Sequence, residues 1–100
     1  MIRHVLLVRF TANARDDQIQ ALKDKFESMP SVIDGVGSVE WGENNSPEDK
    51  DQGYTHVIVM TFRDGAARER YLPHPEHEAL KAIFRPILED IIVVDYSVPA

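Results

Sequence analysis

The feature that most constrains this 100-residue chain is a pair of strand-like segments near its two ends that are apolar on both faces. In Ile2 to Phe10, the alternation of a pleated strand puts Ile2, His4, Leu6, Val8 and Phe10 on one face, while Val5 and Leu7 make the other face apolar too. Ile91 to Val98 is apolar at nearly every position. Such strands must be covered twice, which predicts helices on one side of a sheet and a second layer on the other.

The intervening residues supply those helices. Asn13 is a plausible cap and Asp16 suits the positive end of a helix dipole. Ile19, Leu22, Phe26 and Met29 follow at helical spacing, and Pro30 is predicted to end the helix. Gly35 and Gly37 suit a turn before a strand through Val39 to Gly42, and Asn44 to Gly53 reads as a polar hairpin loop. In the strand Tyr54 to Phe62, alternation places Tyr54, His56, Ile58, Met60 and Phe62 on one face. Asp64 can cap a short helix to Tyr71, stopped by Pro73 and Pro75, and Pro75 fits the first turn of a new helix. Leu80, Ile83, Phe84 and Ile87 give that helix an apolar stripe.

The order strand, helix, strand, strand, broken helix, strand is that of an α+β, ferredoxin-like β-α-β-β-α-β sandwich, read as one domain over residues 1–100. Helices on one face leave the other bare, an apolar patch larger than monomers usually expose. Pairing two sheets face to face in a homodimer removes it.

Composition excludes several partners and chemistries. A net charge of -6 with scattered Lys and Arg argues against nucleic acid, which is bound by clustered cations. The apolar runs Val5 to Val8 and Ile91 to Val94 are far shorter than the ~20 residues of a membrane span, and no signal-peptide pattern opens the chain, so a cytoplasmic location is expected. With no cysteine there is no disulfide, thiolate nucleophile or sulfur metal site. No Gly-rich phosphate loop or nucleophile elbow is present, and no cofactor is implied.

The pieces His4 to Phe10, Gly53-Tyr54-Thr55-His56, Asp95-Tyr96 and above all Tyr71-Leu72-Pro73-His74-Pro75-Glu76-His77 resemble the stress-responsive A/B barrel family, from His4 to Tyr96. The resemblance implies a dimeric α/β barrel, in which two ferredoxin-like sheets pack together. Most members have no assigned reaction. In a polyketide cyclase of the family, similar also at Trp41-Gly42, a tyrosine and the last histidine of the motif carry an aldol-type ring closure; by resemblance those roles fall on Tyr71 and His77. Lys23 and Leu88 stand where that cyclase has large aromatic residues, which points to a different substrate.

The chemistry of these residues allows two accounts. A His77 imidazole can act as general base near neutrality, provided that a donor such as the Tyr71 hydroxyl stabilises the enolate. Alternatively the motif is a structural corner, with Tyr71 closing the core, His74 capping the next helix and His77 packing beside it. His4 and His56, on neighbouring strands, can face the same cavity and with His74 are candidate ligand contacts; no metal is expected, because neither His-x-His nor Glu-x-x-His with a further carboxylate occurs. Arg85, Glu89 and Asp95 are read as an edge ion-pair network, and Trp41 and Tyr54 as packing or pocket aromatics.

The resulting functional expectation is a dimer that binds a small apolar or aromatic metabolite near the Tyr-x-x-His-Pro-x-His motif with no assigned reaction. The alternatives are a cyclase-like, aldolase or lyase enzyme using His77 and Tyr71, and a cofactor-free monooxygenase suggested by fold alone.

Overall fold

A computed structural model describes residues 1–99. The elements are β1 (Ile2–Phe10), α1 (Asp16–Val32), β2 (Val36–Glu43), β3 (His56–Phe62), α2 (Gly65–Tyr71), α3 (Pro75–Phe84), a single 3-10 turn (Arg85–Ile87) and β4 (Leu88–Ser97). The strands form one antiparallel sheet in the order β2-β3-β1-β4. This is the ferredoxin-like arrangement expected from the element order.

The alternation of β1 sorts as its sequence requires. Ile2, His4, Leu6 and Val8 are buried, as are Ile58, Met60 and Phe62 of β3. They meet Leu22, Phe26 and Met29 of α1, Ala67 and Tyr71 of α2, and Leu80 and Phe84 of α3. The helices therefore cover one face. On the other, Val5 pairs with Val59 and Val94, and Leu7 with Val57 and Ile92. These side chains form an apolar patch with Val94 55% and Tyr96 49% exposed.

Several boundaries differ from expectation: β2 begins at Val36, Ile87 falls in the 3-10 turn after α3, and β4 begins at Leu88. Asn13 lies in the turn before α1 and does not cap it; Arg15 holds the cap position, its backbone N–H donating to the Gln18 side chain at 3.0 Å. Pro30 sits inside α1, which continues to Val32. Its missing N–H removes one bond in the final turn only, where the Ser28 and Ser31 hydroxyls donate to the Lys25 and Ser28 carbonyls. β3 begins at His56, while Tyr54 turns aside to donate from its hydroxyl to Asp90.

The turn from α1 to β2 needs Gly35. Its φ of 92° lies in the left-handed region, and a Cβ there would stand 2.6 Å from that of Ala67. Gly35 thus lets α2 settle directly on the entry to β2.

Candidate functional site

The Tyr71 to His77 segment folds as two helix ends separated by one tight corner. Asp64 caps α2 by accepting from the Ala67 N–H at 2.8 Å, and the helix stops after Tyr71, ahead of Pro73. His74 then caps α3: its Nδ1 accepts from the Glu76 N–H at 3.0 Å, with Pro75 at the first helical position. One turn on, the ring of His77 swings back over the corner, and its Nδ1 donates to the Leu72 carbonyl at 2.8 Å. This brings the rings of His77 and Tyr71 to 4.2 Å between centroids, although six residues separate them along the chain.

That hydrogen bond defines the chemistry of His77. A carbonyl oxygen can only accept, so Nδ1 carries the proton and the neutral ring has its lone pair on Nε2. Burial lowers the His77 pKa from its ordinary value near 6.5, partly opposed by the bond to Leu72. The ring is therefore neutral at pH 7. Burial raises the Tyr71 phenol above the ordinary tyrosine range, so it stays protonated and can donate.

His4 enters the same space from β1. The β1–β4 register sets it opposite Asp95, and its Nδ1 lies 2.6 Å from the Asp95 carboxylate. Arg68 of α2 holds the other carboxylate oxygen at 3.2 Å. A carboxylate fixed from behind in this way orients an imidazole and sets which nitrogen faces outward. The His4 ring stands 6.3 Å from that of Tyr71.

His4, Tyr71 and His77 together line a cavity of 280 Å³ between α3 and the sheet. Leu6, Phe26, Leu80, Phe84 and Val93 make most of its wall apolar. Leu88, the position set apart from the cyclase pattern, also borders it, whereas Lys23 lies beside a different surface hollow near Trp41.

The other two candidate histidines lie elsewhere. His56 pairs with Val8, four residues along β1 from His4, about 13 Å at the usual strand rise. His56 belongs to an aromatic cluster in which it contacts Phe10 and Trp41, Phe26 contacts Trp41, and Phe84 bridges Phe10 and Phe26. Burial lowers the His56 pKa as well. His74 spends its Nδ1 on the helix cap and does not line the cavity. The expected network of Arg85, Glu89 and Asp95 does not form: Asp95 turns inward to His4 and Arg68, and Glu89 pairs with Arg9 at 3.1 Å. Among the described residues no cluster of three His, Asp or Glu side chains could hold a metal ion, and no helix is long and apolar enough to cross a membrane.

An antiparallel sheet in the order 2-3-1-4, roofed by helices over a histidine- and tyrosine-bearing cavity, defines an α+β protein of the ferredoxin-like class. The chain belongs to the stress responsive A/B barrel domain family, whose family model matches residues 2–98. Stress-response A/B barrel domain-containing protein HS1 of Arabidopsis thaliana is 32% identical over 96 residues, covering 96% of this chain and 88% of the relative. Olivetolic acid cyclase of Cannabis sativa is 23% identical over 96 residues, covering 96% and 95%. Hydroxynitrile lyase from Passiflora edulis shares the fold with a TM-score of 0.90 at 23% identity, covering 98% of this chain and 93% of the lyase. A dimeric ferredoxin-like protein of unknown function from Thermobifida fusca does so at 0.82 and 24%, covering 97% and 90%.

Proposed function

We propose that this chain, as one domain, pairs through its bare sheet face into a homodimer and binds a small apolar or aromatic metabolite in the cavity beneath α3. The observation that carries the binding reading is the cavity itself. Its walls are largely apolar, and beside Lys81 and Arg85 its polar groups are His4, Tyr71 and His77, which converge from three different elements. Pairing is supported by the exposed Val94 and Tyr96 and by the dimeric state of the Thermobifida fusca protein of the same fold. A thermal-shift screen of neutral aromatic and medium-chain molecules tests the binding reading. A ligand at 100 times its dissociation constant adds about 2.7 kcal/mol of stability. A screen in which no such molecule raises Tm, and none perturbs the cavity residues by NMR, defeats it.

A second reading is favoured by the tautomer of His77. With Nδ1 bound to Leu72 and Nε2 unprotonated, His77 is a base, and the neutral Tyr71 phenol is a donor for an oxyanion. Such a pair suits an enzyme that removes a proton beside a carbonyl, and a cyclase and a lyase occur among the similar proteins. Turnover of a carbonyl substrate that vanishes in His77→Gln and falls sharply in Tyr71→Phe supports this reading; turnover unchanged in both excludes it.

A further inference from the structure

The rim of the cavity is basic although the chain is acidic. Asp and Glu number 17 against 11 Lys and Arg, yet the residues lining the cavity include Lys81 and Arg85 and no carboxylate. Lys81 is shared with Glu78, which lies at 2.8 Å. Arg85 is exposed just beyond α3, and the two acids with which its sequence neighbourhood would pair it are held by Arg9, His4 and Arg68 instead. A cation at a helix C-terminus is favoured by the dipole whatever its other role. Here it also stands at the mouth of an apolar cavity, free of those two carboxylates, with Glu78 as the acid near enough to feel its charge.

Resting on the reading that the cavity takes small apolar molecules, we infer that its ligand is an amphipathic carboxylic acid. The apolar body lies against Leu6, Leu80 and Phe84, and the carboxylate is received at the rim by Arg85, the Lys81 charge being largely offset by Glu78. A planar guanidinium presents two parallel N–H donors that match the two oxygens of a carboxylate. Because Arg85 is exposed, solvent and salt screen the attraction, and its effect is a preference among ligands of the same shape.

Octanoate and octanamide, matched in chain length and differing in charge, test this when titrated against the parent protein, Arg85→Gln and Arg85→Lys at low and high salt. Octanoate is expected to bind the parent about two- to fivefold more tightly than octanamide, the scale of one exposed ion pair. The preference disappears in Arg85→Gln, returns in part in Arg85→Lys and shrinks at high salt, while octanamide affinity stays the same in all three proteins. If octanamide binds and octanoate binds no better, or if the preference survives Arg85→Gln, the inference is overturned and the cavity reading stands. If neither compound binds, the inference is overturned and the wider screen decides the cavity reading.

Discussion

The imidazole of His77 lies 4.2 Å from the ring of Tyr71, tilted by 30°, with its own Nδ1 tied to the Leu72 carbonyl. One residue thus closes the corner between α2 and α3 and also faces the cavity, so the structural and chemical accounts of the motif describe the same atoms. Replacing His77 by Ala is expected to cost about 1–2 kcal/mol, the scale of one side-chain hydrogen bond and some packing. Thermal melts and ligand titrations of that variant are expected to show a modest loss of stability together with weakened binding. Unchanged affinity beside a large loss of stability would leave the corner role alone.

Tyr71 separates the two roles more cleanly. It is 1% exposed and packs against Phe62 at 5.1 Å. Tyr71→Ala empties that volume and is expected to destabilise by about 3–5 kcal/mol, as for other large core aromatics. Tyr71→Phe keeps the ring and removes only the hydroxyl, so chemical denaturation should register less than about 1 kcal/mol of change. Any loss of polar-ligand affinity or turnover in Tyr71→Phe then belongs to the hydroxyl.

The two lowered histidines predict a pH dependence. A group whose folded pKa lies below its unfolded value binds more protons when unfolded, so His77 and His56 contribute stability that is fully present above about 6.5 and declines as pH falls below it toward their folded values. Urea melts between pH 8 and pH 5 are expected to show stability falling on the acid side, with a shallower fall in His77→Gln. A profile that is flat through this range would contradict the assigned burial of both rings.

Gly35 offers a test of the fold that does not touch the site. With φ at 92° and the Ala67 Cβ only 2.6 Å from where a new methyl would stand, Gly35→Ala combines backbone strain with a steric clash. A loss of about 2–4 kcal/mol is expected by denaturant unfolding. A neutral result would mean that α2 does not press on the entry to β2.

The strands were readable in the sequence because the two-residue alternation of Ile2 to Phe10 and His56 to Phe62 is unbroken, and Pro75 and Asp64 announced their helices. Pro30 points to a helix end, yet α1 runs two residues past it, because so near the C-terminus only a single backbone bond is lost. The Tyr71–His77 contact was reachable only through the family resemblance, since a proline-broken corner erases helical spacing. The partnership of His4 with Asp95 needed the β1–β4 register, which places the two residues opposite each other across 91 positions of sequence. Sequence alone therefore groups Asp95 with Arg85 and Glu89, its neighbours along the chain rather than in space. Adjoining strands suggest a shared site for His56 and His4, but adjacency of strands does not fix position along them.

The four histidines make the central claim directly measurable, because they are divided between two environments. His4 and His77 line the cavity, whereas His56 sits among Phe10 and Trp41 and His74 is occupied at the α3 cap. Titration of the protein with octanamide, followed through the imidazole resonances by NMR, is expected to shift the signals of His4 and His77 in step and to leave those of His56 and His74 in place. Shifts confined to His56 or His74, or saturation of binding with His4 and His77 undisturbed, would contradict the assignment of this cavity as the ligand site.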